Sequence, residues 1–194
     1  MEFEYKKYKW FFTKSNKLVV GGKSASQNDD LIKSLKNDRE DRIVMHTADP
    51  GSPFSVIFAD INKVNKSDLE ETAIFTASFS RAWRSGKSKA KVDIFNLSDM
   101  SKPSGTKVGT WVVKEKLSAK PVSLSLVLTK QKSTLRAVPP MTPKTKSSIL
   151  LKIAPGKTPK EKQIDALSSQ LKDKFTKEEI LSAIPAGGLA IQGK

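Results

Sequence analysis

Gly21-Gly22-Lys23-Ser24 joins an apolar run to a segment with helical spacing, as the last residues of a phosphate-binding loop do. A full nucleotide loop needs a glycine five positions before Gly22, where Lys17 stands, so this one is too short to wrap a triphosphate. A glycine pair, a lysine and a helix N-terminus still suit a single phosphate, because backbone N–H groups and the helix dipole favour an anion. A plain strand-to-helix turn explains the same residues equally well. His46 is the only histidine, and with no cysteine in the chain it cannot build a metal site alone. Asp49 and Ser52 are close in sequence, but residues so close rarely reach catalytic geometry, and no nucleophile-elbow pattern is present. The simplest role for His46 is a hydrogen bond at a strand end that holds the turn 50–53.

Two further stretches are basic. Arg81 and Arg84 fall at a helix C-terminus, where the macrodipole favours cations, but Lys87, Lys89 and Lys91 continue beyond it. Ser101-Lys102-Pro103-Ser104-Gly105-Thr106-Lys107-Val108-Gly109 is a hydroxyl-rich loop able to lay lysines and N–H groups on phosphates.

The charge distribution points the same way. The 194 residues carry a net charge of +15, and residues 101–163 hold 14 basic and 2 acidic residues. That one-sign field attracts a polyanion, either nucleic acid or an acidic membrane surface. The membrane reading lacks a basic amphipathic helix with large exposed apolar residues. Absence of cysteine excludes disulfides and thiolate chemistry. The N-terminus has acids where a signal peptide is basic, and no apolar run is long enough to span a bilayer, so a cytoplasmic protein is expected.

The elements that must position these residues alternate along the chain. Residues 9–13 and 17–20 read as a hairpin. Ser24 and Gln27 form a capping-box pattern ahead of a helix with Leu31, Ile32 and Leu35 on one stripe. Strands follow at 42–45 and 54–58, around the turn Asp49-Pro50-Gly51-Ser52-Pro53. Ser67 and Glu70 mark a long helix over 67–84, with Trp83 in the core. Strands are expected at 92–95, 109–114 and 122–128, the last with Val122, Leu124, Leu126 and Leu128 on one face. Prolines, lysines and hydroxyl residues over 136–149 read as a basic linker. A short strand at 150–153 and two helices, starting at Thr158-Pro159 and at Thr176, complete a C-terminal module over 150–194. The expected fold is α+β: a mixed, mostly antiparallel sheet with two main packed helices, plus a small strand-helix-helix module.

Four stretches together resemble one family. Val20-Gly21-Gly22-Lys23-Ser24-Ala25-Ser26-Gln27-Asn28-Asp29, the turn from His46 to Pro53, Phe79-Ser80-Arg81-Ala82-Trp83, and Ser101-Lys102-Pro103 through Gly109 are similar, in this order, to motifs of NFACT-R domains. Many members carry an aromatic just before the histidine, where this chain has Val44-Met45. The chain resembles the stand-alone form, over residues 1–135, without the helix-hairpin-helix region and coiled coil of the larger NFACT proteins. Those proteins bind the large ribosomal subunit carrying a stalled peptidyl-tRNA and act in nascent-chain quality control. The resemblance implies RNA binding, of tRNA or ribosomal RNA, without a cofactor or metal and without membrane attachment. Its candidate residues are Gly22, Lys23, Asn28, His46, Ser52, Arg81, Arg84, Lys87, Lys102 and Lys107. The alternative is an RNA-modifying or RNA-processing enzyme, or its accessory subunit.

Overall fold

The computed structural model describes residues 3–38 and 40–193. In chain order its strands and α-helices are β1 (Lys9–Phe12), β2 (Leu18–Gly21), α1 (Ala25–Lys36), β3 (Ile43–Thr47), β4 (Ser55–Phe58), α2 (Lys66–Ser78), α3 (Arg81–Arg84), β5 (Lys89–Asn96), β6 (Met100–Ser101), β7 (Val112–Val113), β8 (Ser118–Ser123), β9 (Leu126–Gln131), β10 (Thr134–Val138), β11 (Leu151–Pro159), α4 (Ile164–Gln170), α5 (Lys177–Ala183) and β12 (Gly188–Gly193). Six strands form one sheet in the order β1-β2-β4-β3-β5-β8, and four form a second in the order β10-β9-β11-β12. The described pairings are antiparallel, so the expected α+β class holds.

Neighbouring residues on each central strand enter different cores. Val19, Met45, Ile57 and Ile94 pack with Ala73, Phe75 and Ala77 of α2. Val20, Val44, Val56 and Phe95 pack with Leu31, Ile32 and Leu35 of α1. A sheet covered on both faces needs continuous apolar runs instead of alternation. The core on the α2 side also takes in Leu126, Leu128, Ile153, Ile180 and Leu189, so the second sheet and its helices share it.

Several element boundaries differ from the sequence reading. The long helix is capped two residues earlier than expected: Asn65 and Asp68, not Ser67 and Glu70, form the capping box. It breaks at Phe79–Ser80, where Ser80 Oγ donates to the Ala77 carbonyl at 2.6 Å and accepts from Ala82 N at 3.0 Å, capping α3. Arg81 N donates to the Gly51 carbonyl at 2.8 Å, which commits that N–H to the turn. The expected strand at 122–128 is two strands in two sheets, β8 and β9. Strand at 109–114 shrinks to β7, held by β6.

Residues 136–138 are strand, not linker. Lys132 and Ser133 have φ values of 49° and 63° and turn β9 into β10, with Arg136 opposite Thr129 and Val138 opposite Val127. Two consecutive positive φ values are the two-residue hairpin geometry normally written by Asn-Gly, and Lys-Ser hides it. Further on, β11 runs through Pro159, and α4 begins at Ile164 rather than at Thr158-Pro159. Thr158 and Pro159 are held by β12, opposite Leu189 and Gly188, which keeps them out of a helix. The Thr176–Glu179 capping box opens α5 as expected.

The outer edge of β1 is covered by side chains of β9 and β10. Gln131 accepts from Phe12 N and donates to the Phe12 carbonyl, both at 2.8 Å, and Arg136 Nε donates to the Trp10 carbonyl at 3.0 Å. The Gln131 amide replaces a pairing strand, which blunts an otherwise open sheet edge. Trp83 Nε1 donates to the Gly188 carbonyl at 3.0 Å, and Glu71 accepts from Thr142 Oγ1 at 2.7 Å and from Lys14 N at 2.9 Å. No helix among the described residues is long and apolar enough to cross a membrane.

Candidate nucleic-acid interface

The turn between β3 and β4 is fixed from inside. Ser52 Oγ accepts from Thr47 N at 2.9 Å and donates to the Pro53 carbonyl at 3.1 Å. Thr47 Oγ1 donates to the Asp49 carbonyl at 2.6 Å. Asn28, on α1, accepts from Phe54 N at 3.1 Å and donates to the Ser52 carbonyl at 3.4 Å. Asn28 and Ser52 are both buried, so they build the wall of a site and have little left to offer a ligand. Gly22 is glycine for the same reason: a Cβ there would lie 2.3 Å from Asn28 Oδ1.

Ser24 caps α1, its Oγ accepting from Gln27 N at 3.2 Å. Gln27 Oε1 reaches back to Lys23 N at 3.0 Å, one residue before the cap itself. His46 Nδ1 lies 2.7 Å from the Thr47 carbonyl. A carbonyl can only accept, so Nδ1 carries the proton and Nε2 keeps its lone pair. Burial pushes the imidazole pKa down, against the smaller upward effects of Thr47 and Asp93, and favours the neutral ring. The ring packs against Phe54, with centroids 4.6 Å apart and planes tilted by 33°. The turn is thus held by Ser52 and Asn28, while His46 bonds at the end of its own strand.

These elements enclose an open groove of about 700 Å³. Of the residues singled out by the sequence, Gly22, Lys23, Asn28, His46, Ser52 and Arg84 line it. Arg81 and Lys87 line a separate hollow of about 70 Å³, where Lys87 Nζ is 3.6 Å from Asp49. Lys102 and Lys107 do not line the groove. Lys102 Nζ donates to Asp29 at 2.9–3.0 Å, to the Lys107 carbonyl at 3.1 Å and to the Thr110 carbonyl at 3.2 Å. An ammonium has three hydrogens, so Lys102 is committed to holding its own loop. Lys107 is exposed on that loop. Asp29 also accepts from Gly109 N at 3.0 Å and Trp111 Nε1 at 2.9 Å. Burial alone would raise the Asp29 pKa, but the hydrogen bonds from Lys102, Trp111 and Gly109 outweigh it and hold the carboxyl below its usual value. Gly109, at φ 79°, brings the loop against α1, where a Cβ would meet that of Ala25 at 2.7 Å.

Sequence reasoning missed Lys9, Lys116, Phe79 and Trp111 as groove residues. Lys9 could have been found from the hairpin register, which sets it opposite Gly21. Lys9, Lys23, Arg84 and Lys116 give the lining four cations against one carboxylate, Asp93, which Lys116 pairs at 2.5 Å. Of the basic segment 101–163, Lys116 reaches the groove, Lys102 is spent on Asp29 and Arg136 is buried over Trp10.

Known proteins resemble parts of this chain. A solved structure, the C-terminal of the fibronectin/fibrinogen-binding protein from Streptococcus suis, superposes with a TM-score of 0.51 at 19% identity, over 60% of this chain and 44% of that one. It supports the fold. The archaeal Rqc2 homolog aRqcH of Methanocaldococcus jannaschii is 42% identical over 82 residues, 42% of this chain but only 12% of that protein's length. Residues 7–115 match the NFACT protein RNA binding domain, and they contain the glycine pair, the His46 turn, α3 and the Lys102 loop. By that match the chain belongs to the family of NFACT protein RNA binding domains.

Proposed function

We propose that the protein binds structured RNA in the groove between the end of the β1–β2 hairpin, the turn after β3 and residues 108–116, with tRNA or ribosomal RNA as the target. The observation that carries this is the charge of the lining: of its four cations Lys116 pairs the one carboxylate, Asp93, which leaves Lys9, Lys23 and Arg84 without an opposing carboxylate in the lining. Such a surface attracts phosphates, and its rigid walls, built by Asn28 and Ser52, favour recognition of backbone shape. Lys23, Arg84 and Lys9 are the direct contacts, Lys107 and Lys87 add exposed charge nearby in sequence, and Lys102 positions the loop. The part-exposed rings of Phe79 and Trp111 each carry an intramolecular cation on a face: Lys9 lies 4.5 Å over Phe79, and Lys102 lies 5.5 Å over Trp111. That leaves little stacking surface for a splayed single strand. A place in ribosome-associated nascent-chain quality control extends this reading, through the likeness to the Rqc2 homolog.

Fluorescence anisotropy with a folded tRNA and an unstructured strand of equal length tests the proposal. The folded RNA should bind more tightly and remain chemically unaltered. Equal affinity for both strands, or tighter binding of duplex DNA, refutes it.

A further inference from the structure

The C-terminal region does more than close the edge of β1. It also brings charge close to Lys9 of the groove lining. Lys9 is part-buried over the Phe79 ring, and among the described residues no carboxylate pairs with it. Its charged neighbours are Arg136, Lys160 and Lys23. Arg136 is fixed 4.6 Å over Trp10 with Nε on the Trp10 carbonyl, and Lys160 Nζ is fixed on the Leu181 carbonyl at 2.8 Å. Arg84 and Ala186 line the same groove, and Gly187 packs so closely on Arg84 that a Cβ would lie 2.8 Å from the Arg84 Cα. Arg136, Lys160 and Ala186 all lie outside residues 7–115.

A fold does not gather unpaired cations for stability. A part-buried ammonium without a counter-ion is costly, and like charges beside it raise that cost. Burial first, then Arg136, Lys160 and Lys23, push the Lys9 pKa down to about 8. The nearby acids do not relieve it: Asp93 is held by Lys116, and Glu161 acts on Lys160. His46, the remaining titratable group of the lining, is pushed towards its neutral form by burial. An anion entering between Lys9 and Lys23 supplies the missing counter-charge, and lysine meets phosphate as a point charge.

We infer that the part of the groove lined by Lys9 and Lys23 is a phosphate seat assembled jointly by the family domain and the C-terminal region, with Lys9 and Lys23 as direct ligands and Arg136 and Lys160 as fixed charges near Lys9. The source of the phosphate as RNA rests on the function proposed above. The seat itself does not.

The test therefore has two arms on the full chain. In the first, thermal unfolding is followed in inorganic phosphate and in chloride at matched ionic strength. Phosphate should raise the wild-type Tm, and the gain should shrink as pH rises through about 8, where Lys9 loses its proton. Lys9→Met should abolish the gain while matching or exceeding the wild-type Tm in chloride. Lys23→Gln, at an exposed position, should reduce the gain and serves if Lys9→Met does not fold. Lys174→Gln, exposed and outside the groove lining, should keep it. An equal phosphate gain in all variants, or none in the wild type, overturns the seat. In the second arm, Lys9→Met and Lys160→Gln should each weaken binding of folded RNA, Lys9→Met by about tenfold. Unchanged affinity with a 5′-hydroxyl RNA assigns the seat to a backbone phosphodiester, and a loss assigns it to the terminal phosphate. A wild type that gains from phosphate but binds no RNA upholds the seat and overturns the RNA reading.

Discussion

Lys102 and Lys9 occupy opposite kinds of site. Lys102 sits between a buried aspartate and two carbonyls, with every donor used. Lys9 sits over an aromatic ring among other cations. The first environment stabilises its lysine and gains nothing from a ligand. The second is strained by its lysine and gains from any anion that arrives. The motif marked Lys102 as a candidate ligand, whereas the geometry makes it a strut and leaves Lys9, unpaired in the groove lining, as the proposed contact. A residue's place in a motif records that the position matters to the domain, not whether it matters through binding or through shape.

Four experiments break or sharpen that contrast. The largest effect concerns the groove as a whole. If its cations face phosphates, each neutralised phosphate releases counterions, and RNA affinity should fall on the order of 10³-fold between about 50 and 200 mM salt. A flat salt titration by anisotropy removes the electrostatic basis of the site.

Next in size is the strut. Lys102→Met leaves the Asp29 carboxylate buried with its cation gone, and removing one partner of such a pair costs roughly 3 kcal/mol. Chemical denaturation should register this loss, whereas Lys9→Met should show none. Equal destabilisation by the two variants would erase the distinction between them.

Smaller effects are expected at the exposed rim. Lys23→Gln and Arg84→Gln should each lower the slope of log affinity against log salt by about 1 and weaken binding across RNA sequences. Their stabilities should stay within about 0.5 kcal/mol of wild type, because neither side chain is buried. A sequence-selective loss would show that the rim reads bases.

The smallest effect is a pair of pH slopes. Asp29 is held below its unfolded value, so the folded state binds fewer protons than the unfolded chain between the two pKa values. Its contribution is present above pH of about 3.8 and drains away as pH falls below that. Lys9 is also held low, so the unfolded chain binds more protons between about 8 and 10.5 and stability rises with pH across that window. Urea midpoints against pH should show both slopes. Lys9→Met should delete only the alkaline one, and persistence of that slope would assign it to another group.

The sequence alone determined much of this. Apolar runs at 18–20, 43–45 and 56–58 marked the central strands, and local chemistry set the caps at Ser24 and Thr176; that the sheet is covered on both faces is seen in the structure. Gly22, Lys23, Asn28, His46 and Ser52 were legible because they cluster in short motifs, and they do meet in one groove. Tertiary structure alone decided what each does there. The spending of Lys102 on Asp29 depends on a partner 73 residues away. The β9–β10 hairpin hid behind a Lys-Ser turn without glycine or asparagine. The exposure of Lys9 to Arg136 and Lys160 follows from the second sheet docking on the edge of β1, through contacts spanning more than a hundred residues. Periodicity and capping act over a few residues and can be read along the chain. Charge balance is summed over whatever the fold brings within a Debye length of about 10 Å, and that sum exists only once both sheets are in place.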